Sequence, residues 1–96
     1  MDIIDHIALP VQDIKQAVSW YTQQFACELE YQDETWALLR FANVKLALIN
    51  PTQHPLHVAV LSEHPEQYGE VKKHRDGSIS SYFKDPNGNS WEMVKY

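Results

Sequence analysis

Two histidines and one glutamate carry the most direct chemistry this sequence offers. His6 stands in Asp5-His6-Ile7-Ala8-Leu9, His57 in Leu56-His57-Val58-Ala59-Val60, and Glu92 in Ser90-Trp91-Glu92-Met93-Val94. Neutral imidazoles and an ionised carboxylate converging at about 2.0 to 2.2 Å are what a divalent cation demands. Three such ligands leave the site open, so the ion could polarise a bidentate oxygen substrate or activate bound oxygen. Taken singly, each residue has an ordinary structural reading as a buried polar group hydrogen-bonded to its neighbours. Together they favour a metal, because the two histidines occupy the same place in a repeated pattern. A carboxylate among the apolar neighbours of Glu92 is also costly without a cation or donors beside it.

The elements that must position these residues are strands. Alternation puts residues of period two on one face, so His6 shares a face with Ile4 and Ala8, and His57 with Ala59 and Leu61. After the first strand Asp13 and Gln16 form a capping box. Ile14, Ala17, Val18, Tyr21 and Phe25 then recur at helical spacing, which predicts a helix over 14–25. Strands are predicted over 28–32, 36–41 and 44–49, separated by Asp33-Glu34-Thr35 and Ala42-Asn43. The first half therefore reads βαβββ.

Asn50-Pro51-Thr52-Gln53-His54-Pro55 is a connector, since its prolines cannot donate to a sheet ladder. The second half repeats the plan with strands over 70–75, 78–84 and 90–94, turned at Asp76-Gly77 and at Asp85-Pro86-Asn87-Gly88. Its crossover from His57 to Glu70 is much shorter than the one from His6 to Glu28. Residues 62–68, interrupted by Pro65, leave room for about one turn of helix. Leu56, Val58 and Val60 would then lack a covering helix, which points to a symmetric homodimer.

The 96 residues allow one core, and 44% hydrophobic with 22% charged residues is the balance of a folded globular protein. A net charge of −5 opposes a phosphate backbone, and Lys72-Lys73-His74-Arg75 is too short a run to reverse that, so nucleic acid is not expected as a partner. No apolar run approaches the roughly 20 residues of a membrane span and no basic flank marks a signal peptide, so a cytoplasmic protein without a membrane partner is expected. The single cysteine, Cys27, reads as a small buried hydrophobe. His54, His64 and His74, in connectors or near turns, read as solvated polar residues.

Nearly the whole chain resembles the vicinal oxygen chelate superfamily, which includes glyoxalase I, extradiol dioxygenases, methylmalonyl-CoA epimerase and the bleomycin resistance proteins. The resemblance rests on Asp5-His6-Ile7-Ala8-Leu9-Pro10-Val11-Gln12-Asp13, on Trp20-Tyr21, on His57-Val58-Ala59-Val60, and most specifically on residues 82–92, Tyr82-Phe83-Lys84-Asp85-Pro86-Asn87-Gly88-Asn89-Ser90-Trp91-Glu92. It implies an α+β fold within a single glyoxalase-like domain over 1–96. Two βαβββ modules, 1–50 and 55–96, would form a half-barrel of about eight strands, the second with its helix reduced to about one turn.

The resemblance further implies that His6, His57 and Glu92 are metal ligands, with iron(II) as the first guess for the divalent cation and zinc, manganese or nickel as alternatives. At the fourth ligand position Leu48 is taken as the counterpart of Glu92, which argues against glyoxalase I and agrees with the open site of the dioxygenases. The implied function is an enzyme acting on a small oxygen-chelating molecule, by oxygen-dependent cleavage or by a lyase or isomerase step. The alternative is a metal-free small-molecule binding or resistance protein of the same fold. Trp36, Arg40, Leu48 and Tyr82 are the expected substrate contacts. Trp36, Leu38 and Arg40 alternate with Ala37, Leu39 and Phe41, and the sequence leaves open which set faces the ligand.

Overall fold

A computed structural model describes every residue from Met1 to Tyr96 and divides the chain into two compact units, one of His6–Leu56 and one of Met1–Asp5 with His57–Tyr96. In the first of these, strand β1 (Ile4–Pro10) contributes its residues from His6 onward and is followed by helix α1 (Ile14–Gln24) and strands β2 (Glu28–Gln32), β3 (Trp36–Arg40) and β4 (Lys45–Ile49). The helix starts where expected because the Asp13 carboxylate accepts a hydrogen bond from the Gln16 amide at 3.0 Å, satisfying one of the first-turn donors. It stops one residue short of the predicted end, as Phe25 turns extended and leaves its ring exposed.

β4 runs parallel to β1, with β3 antiparallel to β4 and β2 antiparallel to β3. One face of this sheet is covered by the helix, where Ile14 and Val18 pack on Ala37, Leu39 and Leu48. On the other face Ala8, Ala47 and Ile49 form a second apolar cluster with Trp36 and Leu38. A bulge between Leu29 and Tyr31 resets the register of β2, and the Tyr31 ring stacks on Trp36 at 4.6 Å. The alternation left open by the sequence is thereby resolved. Trp36 and Leu38 share the face of His6 and Ala8, whereas Ala37 and Leu39 lie beneath the helix.

The second unit has the same connectivity, with β5 (His57–Leu61), a single 3₁₀ turn (Pro65–Gln67), β6 (Val71–Lys73), β7 (Ile79–Lys84) and β8 (Ser90–Lys95). β8 lies parallel to β5, β7 antiparallel to β8, and β6 antiparallel to β7. Both predicted turns form, with Gly77 at φ +89° and Gly88 at φ +84°, a backbone region that favours glycine. The one-turn vestige anticipated in the crossover is the 3₁₀ turn.

This turn packs on β7 and β8, where the Ser81 hydroxyl donates to the Pro65 carbonyl at 2.7 Å and Tyr68 stacks on Phe83 at 5.8 Å. Val60 is buried and Val58 half-buried, leaving only Leu56 of the three exposed. The bare apolar face from which a homodimer was inferred is therefore not present in that form. The eight strands thus lie in the orders β2-β3-β4-β1 in one unit and β5-β8-β7-β6 in the other, and with one helix this is an α+β fold. No helix is long and apolar enough to cross a membrane.

Candidate metal centre

His57 begins β5 and Glu92 sits in the middle of β8, and the parallel register sets Glu92 beside Ala59, two residues beyond His57. Period-two alternation brings both side chains to one face. There His57 Nε2 lies 3.1 Å from Glu92 Oε1, and both residues are about 95% buried, being only 5% exposed. The other carboxylate oxygen accepts a hydrogen bond from the Ser80 hydroxyl at 2.5 Å. Ser80 reaches it from β7, which runs antiparallel to β8 and places Tyr82 directly opposite Glu92.

Tyr82 and His74 complete this polar group. The Tyr82 hydroxyl is 3.3 Å from His74 Nε2, and that nitrogen is 4.0 Å from Glu92 Oε2. The Tyr82 ring stands edge-on to both imidazoles, at 6.1 Å from His57 and 6.3 Å from His74. Burial, reinforced by the negative charge of Glu92, pushes the Tyr82 phenol well above its ordinary pKa. It stays protonated at neutral pH.

His6 lies on β1 in the other unit, half-buried and opposite Lys45 of β4. Like His57 and Glu92 it is of a residue type that ligates divalent metals. The register corrects the expected fourth position. Since Glu92 pairs with Ala59, two residues after His57, its counterpart is the partner of Ala8, two residues after His6, and that partner is Ala47. Leu48 points to the opposite face, fully buried against Ile14 and Val18, so it is neither the counterpart of Glu92 nor a substrate contact. No carboxylate stands at the fourth position in either assignment.

Arg40 is bound to Glu28 and, through Nε at 3.2 Å, to Glu30, so its guanidinium belongs to a surface ion-pair network. Trp36 lies on the same sheet face as His6, as one of the two alternatives held. His74, read from the sequence as a solvated residue, is the member that sequence reasoning missed. It lies one residue past β6, and the pairing of that strand with β7 is what brings it to Tyr82. Two surface grooves, of about 270 and 560 Å³, lie at the N-terminal end of the helix around Gln12 and Asp13, away from these groups.

Two modules of identical connectivity, each with a mixed sheet, and ligand-type side chains on the first and last strands of the second define the class. The chain belongs to the glyoxalase/bleomycin resistance protein/dioxygenase superfamily, whose family model matches residues 3–72. The match ends before β7 and β8, so the assignment of Glu92 and Tyr82 rests on the geometry given above. Similar solved structures include a superfamily member from Vibrio splendidus 12B01, with 14% identity, TM-score 0.74 and 100% of both chains covered. A hypothetical protein from Bacillus halodurans C-125 shares 14% identity at TM-score 0.75, over 99% of this chain and 94% of that one. A Streptomyces coelicolor methylmalonyl-CoA epimerase in complex with 2-nitronate-propionyl-CoA shares 17% identity at TM-score 0.72, over 96% of this chain and 95% of that one. At these identities the likeness is one of fold. No curated protein matches the chain by sequence.

Proposed function

We propose that this chain is a small metalloenzyme that holds a divalent cation on His6, His57 and Glu92 and acts on a small oxygen-chelating molecule. The observation that carries the reading is the buried contact between His57 and Glu92. Two ligand-type groups from paired strands face one another at 3.1 Å in a water-poor setting, and strands hold such groups more rigidly than loops do. Iron(II) is the first choice of ion because two histidines and one carboxylate with open positions suit it, with zinc, manganese and nickel as alternatives. When bound, the cation supplies Lewis acidity toward a bidentate oxygen ligand.

The chain's own residues would divide the remaining work. Ser80 fixes the rotamer of Glu92 by holding its second oxygen. Tyr82, kept protonated, offers a hydrogen bond to a substrate oxygen, and His74 at 3.3 Å can pass a proton to or from that hydroxyl. The reaction class this favours is one in which a chelated oxygen gains or loses a proton, which covers oxygen-dependent cleavage and lyase or isomerase steps alike.

A second reading is a metal-free binding protein, and one observation favours it. Glu92 is already satisfied by His57 and Ser80, so the buried carboxylate does not need an ion to be tolerated. Metal analysis of protein purified without chelator separates the two. The enzyme reading expects about one divalent ion per chain and its loss in His57→Ala. A metal-free preparation that takes up no ion on titration, yet retains its small-molecule ligand, would establish the second.

A further inference from the structure

The basic run Lys72-Lys73-His74-Arg75 is conspicuous in a chain of net charge −5, and the function proposed above uses only His74 of it. β6 pairs with β7 so that Lys72 stands directly opposite Ser80, the residue whose hydroxyl holds Glu92. Lys72 therefore projects from the same sheet face as Ser80 and Tyr82, and its Nζ lies 6.0 Å from the centre of the Tyr82 ring. Lys73, opposite Ile79, projects from the other face. Lys45 and Lys95 are each engaged by a carboxylate within 4.0 Å, at 3.4 and 3.7 Å respectively, whereas the ammonium of Lys72 rests only against an aromatic ring.

An exposed lysine on an edge strand also deters strand-to-strand aggregation. That role is served from either face, and Lys73 already serves it. It does not account for a cation laid over the ring whose hydroxyl meets His74 beside Glu92. Attraction to the ring face steers the ammonium toward this polar group, while leaving its donors unsatisfied by any anion.

We propose that Lys72 binds a carboxylate of the small molecule handled at this centre, so that the ligand class is an organic acid carrying a chelating oxygen pair and a separate carboxylate. The inference deepens the metal-centre reading and rests on it for the chelating half of the ligand. Lys72 selects the acid over a neutral analogue of the same shape. A carboxylate there would be held by opposite charge and by hydrogen bonds from the ammonium, which a neutral group of the same shape cannot match.

The test is calorimetric titration of the full chain, metal-loaded and metal-free, with two hydroxypyranones that share one chelating oxygen pair. Comenic acid carries a carboxylate where kojic acid carries a hydroxymethyl group. The wild-type protein is expected to prefer comenic acid by about tenfold, as one charge-assisted contact supplies. Lys72→Met should reduce that preference to about twofold or less, Lys72→Arg should keep most of it, and Lys73→Met should leave it unchanged. A wild-type protein without the preference, or a Lys72→Met protein that retains it, overturns the inference. The metal reading fails separately: a chain that takes up no ion but keeps a Lys72-dependent preference sinks the metal centre and upholds the carboxylate site.

Discussion

The two modules share one connectivity and use equivalent positions in opposite ways. In β3 and β4, the places held by Ser80, Tyr82 and Glu92 in the second module are occupied by Trp36, Leu38 and Ala47. Trp36 and Leu38 join Ala8 and Ile49 around Ala47 in a wholly apolar cluster, whereas Ser80, Tyr82 and Glu92 form a hydrogen-bonded group with His57 and His74. The coverings differ in the same sense. Eleven residues of amphipathic helix cover the outer face of the first module, whereas in the second a three-residue 3₁₀ turn packs on β7 and β8. The difference shows how a repeated architecture separates labour. One copy supplies hydrophobic stabilisation, and the other can tolerate buried polar atoms because strands around them provide every partner.

The sharpest way to break this contrast is to make the modules alike. Ala47→Glu buries a carboxylate where Trp36 and Leu38 stand in place of the donors Ser80 and Tyr82, and is expected to destabilise the metal-free protein by about 3–5 kcal/mol in a denaturant titration. Leu48→Ala tests the corrected register from the other side. It opens a cavity beneath the helix and should cost about 2–5 kcal/mol while leaving metal content unchanged. Were Leu48 on the ligand face, the same variant would alter ligand or metal binding at modest cost in stability.

Ser80→Ala strips one hydrogen bond from a buried carboxylate and should cost about 1–3 kcal/mol, with weaker metal retention after dialysis. The smallest effect is expected at the β2–β3 turn of the apolar module. There the Asp33 carboxylate accepts from the Tyr31 hydroxyl, from the Thr35 amide and hydroxyl, and from the Trp36 amide. The Tyr31 hydrogen bond and those from Thr35 hold its pKa well below the usual carboxylate range. A depressed folded-state pKa gives stability that is fully present above about pH 4 and is lost as pH falls toward the folded value. Melting temperatures at pH 6 and pH 3 should therefore differ less in Asp33→Asn than in the wild type. At this exposed site the variant itself should cost only about 0.5–1 kcal/mol.

Much of the fold is legible in the sequence because its signals are local. The Asp13 cap, the alternation about His6 and His57, and the turns at Gly77 and Gly88 each fix their element with little help from the rest of the chain. The fourth ligand position was misread for a physical reason. A shift of one residue in strand register moves a side chain to the opposite face, and nothing local distinguishes Ala47 from Leu48 as the partner of a residue on β1. His74 was invisible on similar grounds. It lies just past the end of a three-residue strand, and only the pairing of β6 with β7 carries it to Tyr82 and Glu92. Val60 is buried although no long helix covers its strand, because burial depends on which neighbours pack there and alternation on one strand does not reveal them.

The 3.1 Å contact between His57 Nε2 and Glu92 Oε1 has a consequence for how the centre would be loaded. Two atoms that can both accept need a proton between them, so an arriving cation must displace that proton to the far ring nitrogen or to solvent before either atom can coordinate. Uptake would then be a rearrangement within a folded framework, unlike metal sites whose polypeptide is disordered until the ion arrives. The ligand-bearing strands are in place before any ion, so loading such a centre would shift a proton and leave the backbone where it is.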